Sequence, residues 1–163
     1  MKATAKIRVA AIAALGLCVA LAAQDRFAED LARYQNENDP VRKARALAKL
    51  GDEQVDLAKR QLRADDDVGS LQTLEQYRDE VRATVAALNG TGVDAERKPA
   101  GFKELQISLR ETVRRVDDLI FTLPADKRPF FREVRTDLVA AQNDLIDALF
   151  PREPAQKSKK PNS

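Results

Sequence analysis

The chain has 163 residues, with 28 lysines and arginines, 26 aspartates and glutamates, a single cysteine and no histidine. The missing histidine excludes Ser-His-Asp and Cys-His catalysis and zinc sites of the usual His/Cys type. The nearly balanced charge argues against a nucleic-acid-binding protein, which normally carries a basic face.

The first predicted element is a secretory signal peptide over residues 1–23. Its basic start, with Lys2, Lys6 and Arg8, precedes an uncharged run that ends in small alanines. That order is typical of a cleaved leader, and about 15 apolar residues fall short of the ~20 that a membrane-spanning helix needs. The sequence therefore predicts an exported protein, periplasmic or secreted. Retention of the leader as a membrane anchor is the alternative.

The only cysteine, Cys18, lies inside this apolar run. A lipid-carrying cysteine of a bacterial lipoprotein usually follows a small residue, and here Leu17 precedes it. We therefore interpret Cys18 as one apolar residue of the leader, with lipid attachment as the alternative. Removal of the leader leaves a chain without a thiol, so no disulfide is expected.

Residues 24–150 are predicted to form one helical domain, because apolar residues recur at helical spacing and the alternation typical of strands is absent. We expect an all-α fold, an antiparallel four-helix bundle with a short extra N-terminal helix. The short helix covers about Gln24 to Asn36, and Phe27, Leu31 and Tyr34 share one of its faces. The second helix begins with Asp39 as its N-cap and Pro40 in its first turn.

Each of the four long helices carries one apolar stripe that must be buried against the others. A break over residues 63–70 separates helices 2 and 3, a glycine- and proline-containing loop separates 3 and 4, and Pro124 ends helix 4. Helix 5 restarts near Asp126 and stops at Pro151. The stripes are Ala44, Leu47, Gly51, Val55, Ala58 and Leu62 in helix 2; Leu71, Leu74, Val81, Val85 and Leu88 in helix 3; Phe102, Leu105, Leu109, Val113, Val116, Ile120 and Leu123 in helix 4; and Phe131, Val134, Leu138, Ala141, Leu145 and Ala148 in helix 5.

The last 13 residues, 151–163, read PREPAQKSKKPNS, with four bases and one acid. This composition is typical of a disordered basic tail. Residues 24–150 hold 21 bases and 25 acids, so the folded part is expected to be net acidic.

Carboxylates are the side chains left for metal or acid–base chemistry. The run Asp65, Asp66 and Asp67 lacks the spacing of a calcium-binding EF-hand loop, and we interpret it as an exposed turn that initiates a helix. Asp117 and Asp118 lie next to two arginines and are interpreted as ion-paired surface residues. We therefore expect no cofactor and no metal site.

The most suggestive cluster lies at the predicted turn between helices 4 and 5. Two phenylalanines there are surrounded by bases, and adjacent residues on a helix point about 100° apart, so both rings need not be buried. An exposed ring among bases suits an anionic lipid headgroup or an acidic partner. The alternative is that both rings close the core while the bases stay solvated. The predicted contact residues are Lys127, Arg128, Phe130, Arg132 and Arg135.

These observations predict a non-catalytic exported helical module of the cell envelope. Its partner is expected to be a protein or another envelope component, with no nucleic acid. The alternative is a peripheral binder of an anionic membrane or polymer surface through residues 127–135. The sequence favours a carboxylate-based enzyme or metal protein less, because no polar constellation interrupts the apolar stripes.

Overall fold

A computed structural model describes residues 27–151, and this part of the chain is helical with no β-strand. The predicted all-α fold is therefore confirmed. The predicted leader, residues 1–23, and the predicted tail beyond residue 151 lie outside the described residues. The helices are α1 (27–36), α2 (Pro40–Arg63), α3 (Asp67–Gly90), α4 (Phe102–Thr122) and α5 (Arg128–Leu149).

The chain divides after Glu37 into two compact units. Helix α1 belongs to the first and carries its own surface pairs, since Arg33 lies 3.0 Å from Glu29 and 3.3 Å from Asp30. Of the predicted apolar face of α1, Tyr34 is buried and the other two side chains are partly exposed. The second unit contains α2 to α5.

Helix α2 begins as the sequence predicts. The Oδ1 of Asp39 accepts a hydrogen bond from the backbone N–H of Arg42 at 2.8 Å, and Pro40 occupies the first turn. The cap satisfies one of the N–H groups that a helix leaves without an internal partner.

The turn between α2 and α3 is shorter than predicted, because only residues 64–66 lie between the two helices. Asp66 explains the difference. Its Oδ1 accepts a hydrogen bond from the N–H of Gly69 at 2.9 Å, so α3 can start at Asp67, inside the predicted break. At the other turn, residues 123–127 connect α4 to α5, and α5 begins at Arg128, two residues later than predicted.

Each long helix packs against two others: α2 against α3 and α4, and α5 against α3 and α4. The buried stripe is therefore wider than a single row of side chains. All seven stripe positions predicted for α4 are buried. In α2, α3 and α5 the predicted positions Leu62, Leu71 and Ala148 are partly exposed instead, while Leu50, Tyr77 and Leu149 are buried.

The start of α4 depends on Gly101, which has a φ of +84°. A side chain there would be strained, and an added Cβ would lie 3.1 Å from the Cα of Val41 in α2. The backbone N–H of Gly101 donates to the Oε2 of Glu104 at 2.8 Å. The loop 91–101 is thereby held closely against the start of α2.

Candidate functional site

The turn between α4 and α5 separates its two phenylalanines. Phe131 is buried in the core at 2% exposure, whereas Phe130 is 59% exposed. The two rings differ in exposure because Phe131 belongs to the apolar stripe of α5, whereas the side chain of Phe130 points about 100° away from that stripe. The exposed ring is the one that the sequence singled out as a partner contact.

Three of the four predicted bases are engaged within the protein. Lys127 forms a salt bridge with Asp67 at the start of α3. The Nε of Arg128 donates to the carbonyl oxygen of Leu123 at 2.8 Å, and its Nη2 donates to that of Phe121 at 3.4 Å. Arg128 therefore satisfies carbonyl groups at the C-terminus of α4, which have no partner within the helix.

Arg135 makes a two-pronged contact with Asp117 across α4 and α5. Its Nε and Nη2 donate to Oδ1 and Oδ2 at 2.9 and 3.1 Å, and these hydrogen bonds raise the pKa of the guanidinium. This paired geometry is the strongest form of an arginine–carboxylate contact. The interpretation of Asp117 as an ion-paired residue is therefore confirmed. For Asp118 the same interpretation is wrong, because Asp118 has no ion pair with a residue in the range 27–151.

Arg132 differs from the other bases of the turn. Its side chain is exposed and its guanidinium has no ion pair with any residue in the described part of the chain. Arg132 lies four residues after Arg128, three before Arg135 and four before Thr136. These spacings each correspond to about one helical turn, so the four side chains share one side of α5. Arg132 is thus a cation available to an outside group.

A groove of about 370 Å³ lies between this side of α5 and the last turns of α4. We call it the arginine groove, and its lining residues are Asp117, Ile120, Phe121, Arg128, Arg132, Arg135 and Thr136. Of the predicted contact residues, the groove collects Arg128, Arg132 and Arg135; Lys127 and Phe130 do not line it.

Phe121 is the groove residue that sequence reasoning missed. Its ring is 82% exposed, more than any other large apolar side chain among the described residues. It follows Ile120, which belongs to the buried stripe, so it points about 100° away from the core. That offset from the α4 stripe is the signal that identifies it as exposed.

The three consecutive aspartates have separate surroundings. Asp66 caps α3, Asp67 pairs with Lys127, and Asp65 lies in the turn with a left-handed backbone. Across residues 27–151, no group of three or more Cys, Asp or Glu side chains converges as a metal would require.

None of the helices within residues 27–151 is both long enough and apolar enough to cross a bilayer.

Comparisons of the chain with protein-family models, with curated proteins and with solved structures give no significant match.

Proposed function

We propose that the protein is a non-catalytic helical interaction module of the cell envelope that binds an acidic, partly apolar segment of another envelope protein in the arginine groove. The observation that carries this proposal is the unpaired, exposed guanidinium of Arg132 in the same groove as the exposed ring of Phe121. Arginine and large aromatic residues are enriched among the side chains that dominate binding energies.

The groove is held in shape by the contacts that occupy the neighbouring bases. Arg128 connects the start of α5 to the end of α4, and Arg135 connects the two helices through Asp117 two turns further along α5. A partner therefore meets a site whose surrounding side chains are already ordered, which lowers the entropic cost of binding.

We infer that the four long helices form two hairpins that lie side by side. The turns of three and five residues make α2 antiparallel to α3 and α4 antiparallel to α5. Across hairpins, the numbering of contacting residues rises together, which indicates that α2 runs parallel to α4 and α3 parallel to α5. The contacts are Arg45 with Glu104, Ala48 with Ser108, Asp52 with Arg115, Asp67 with Lys127, and Arg78 with Asp137.

In this arrangement the loop 91–101 passes diagonally across one end of a four-helix bundle, and α1 is an N-terminal extension. The arginine groove lies on the second hairpin, near the opposite end. A partner can therefore reach it without disturbing the loop.

The binding test is a pull-down from the native envelope fraction with the unmodified protein and two variants, Phe121→Ser and Arg132→Glu. We expect both variants to lose the captured partner while keeping the melting temperature. Phe150→Ser and Arg110→Glu are the matched controls, since Phe150 is 70% exposed outside the groove and Arg110 is exposed on the same helix as Phe121. Equal capture by all five proteins would contradict the proposal.

A second candidate function is peripheral binding to an anionic membrane, which the exposure of Phe130 favours. A base near an anionic surface contributes about 1 kcal/mol, and an inserted ring adds apolar burial. The test is co-sedimentation with vesicles that contain an anionic lipid. Loss of binding in Phe130→Ser and Arg132→Glu would support this function, and loss only on deletion of residues 152–163 would assign the attraction to the basic tail.

Export through the predicted leader is part of the proposal. The exported chain should begin at Ala23 or Gln24, and Cys18→Ser should change neither export nor solubility. Intact mass spectrometry decides this, because a chain that starts at Cys18 with an added diacyl group would show a lipoprotein instead.

A further inference from the structure

A larger cleft lies where the two inter-helix turns approach each other. Its volume is about 600 Å³, within the range of roughly 300–1,000 Å³ that is usual for small-molecule sites. Apolar residues of α2, of α4 and of the turn between α4 and α5 form part of its lining. These residues are Leu62 of α2, Leu119 of α4, and Leu123 and Pro124 of the turn between α4 and α5.

Three bases and three acids line the same cleft. Lys127 and Asp67 pair with each other, and the other four side chains stay unpaired. Lys59 and Arg63 come from α2, Asp65 from the turn after it, and Asp118 from α4. None of these four side chains has an ion pair with a residue in the range 27–151. Arginines elsewhere between the helices, such as Arg115 with Asp52 and Arg135 with Asp117, do form such pairs. The cleft therefore offers both signs of charge to a ligand.

Asp65 occupies a backbone position that ordinarily belongs to glycine. Its φ is +59°, the only positive φ of a non-glycine residue among those described. The N–H of Asp66 donates to the carbonyl of Gln61 at 2.9 Å, and the N–H of Asp65 donates to that of Leu62 at 3.1 Å. These two bonds define a Schellman motif, whose left-handed residue is usually glycine.

An aspartate at that position costs stability, because a side chain is disfavoured in the left-handed region and glycine is not. The carboxylate of Asp65 forms no hydrogen bond or ion pair with another residue of the range 27–151, whereas Asp66 caps α3 and Asp67 pairs with Lys127. Strained residues of this kind concentrate at binding sites. Asp65 is exposed and is one of the residues that line the cleft, so its carboxylate is accessible to a ligand.

We propose that this cleft binds a small zwitterion of the amino-acid type with an apolar side chain. Asp65 and Asp118 face its ammonium group, and Lys59 and Arg63 face its carboxylate. The side chains of Leu62, which is partly exposed, and Pro124, which is exposed, contact its apolar part. Each unpaired group thereby gains a charge-assisted partner. The site is separate from the arginine groove, so either proposal stands without the other.

The experiment is an NMR titration of the ¹⁵N-labelled mature chain with L-leucine. We expect saturable shifts confined to amides near the cleft residues. N-acetyl-leucine lacks the ammonium and leucinamide lacks the carboxylate, and each should bind at least tenfold more weakly. Absence of saturation by leucine, or equal binding of all three compounds, overturns the proposal.

Variants assign the roles within the cleft. Asp118→Asn and Lys59→Gln should each weaken leucine binding about tenfold, a loss typical of one hydrogen bond to a charged group. The matched controls are Asp144→Asn and Lys49→Gln, exposed residues of α5 and α2 outside the cleft. The proposal fails if the controls and the cleft variants bind leucine alike.

Asp65→Gly separates binding from folding. Glycine relieves the left-handed backbone, so the variant should melt roughly 2–4 °C higher while it binds leucine at least tenfold more weakly. Higher stability with unchanged leucine binding would leave Asp65 without a role in the cleft and would overturn the assignment.

Discussion

The hydroxyl of Tyr77 on α3 lies against the backbone of Gly51 on α2, so closely that a Cβ added at position 51 would be 2.6 Å from it. The same added atom would lie 2.6 Å from the Oγ1 of Thr112 on α4. Three helices therefore meet at one glycine. Glycine in a helix costs about 1 kcal/mol relative to alanine, and this close approach explains why the cost is accepted at position 51.

Gly51→Ala should destabilise the fold. Overpacking a core costs typically 1–3 kcal/mol, and better helix propensity returns up to about 1 kcal/mol. We therefore expect the free energy of unfolding, measured in urea, to fall by roughly 1–2 kcal/mol. Gly90→Ala is the control, because an added Cβ at the end of α3 meets nothing within 4 Å. If the Gly51→Ala and Gly90→Ala proteins are equally stable, the side chains of Tyr77 and Thr112 can shift to accommodate the added methyl group without cost.

Tyr77 should make stability fall at high pH. Burial raises the pKa of its phenol from 10.0 to about 12, an effect that the nearby Thr112 and Ser108 hydroxyls only partly offset. Above pH 10 the unfolded chain releases this proton while the folded chain keeps it, so unfolding is favoured as pH rises through the window from 10 to 12. The two-unit difference corresponds to a loss of about 2–3 kcal/mol.

Tyr77→Phe isolates this effect, because it retains the ring and removes the proton. Neither the Tyr77 nor the Thr112 hydroxyl forms a hydrogen bond of good geometry with another described residue. The variant should therefore be about as stable as the natural protein at neutral pH. The measurement is urea unfolding at several pH values between 9 and 12. If the free energy of unfolding falls with pH equally in the two proteins, the pKa of Tyr77 is not raised by folding.

Leu109→Ala and Leu138→Ala test the core that α4 and α5 share with α2 and α3. Both leucines are fully buried, and each substitution should lower the free energy of unfolding by about 2–5 kcal/mol. Ile107→Ala is the comparison on α4, since Ile107 is 43% exposed and should lose much less. A similar loss at Ile107 and Leu109 would contradict the assignment of the buried face.

The sequence predicts the core best where apolar side chains define it. All seven positions predicted for the α4 stripe are buried, because they carry large apolar residues at helical spacing; the stripe omits Leu119, which is also buried. Positions filled by polar side chains escape that pattern. Gln54, Ser70, Thr84 and Thr112 are buried, and their residue types alone gave no sign of it.

The candidate site shows the same limit for charges. A cluster of bases was evident from the sequence, but the acids that engage Lys127 and Arg135 lie 60 and 18 residues away. Such partners depend on which helices are neighbours, and periodicity within one helix does not specify neighbours. The availability of Arg132 could therefore be recognised only after the helices were placed.

The contacts between α2 and α4 join residues 59 to 63 positions apart, whereas each of the two proposed hairpins, α2 with α3 and α4 with α5, closes through a turn of five residues or fewer. Local contacts form sooner than distant ones because they require less chain entropy. Each hairpin should consequently form early, and their docking should follow as a later kinetic phase. The 11-residue link between them, 91–101, also allows a hairpin to dock onto the complementary hairpin of another molecule. Refolding at high concentration should thus produce swapped dimers, and a chain cleaved within that link should reassemble from its two halves.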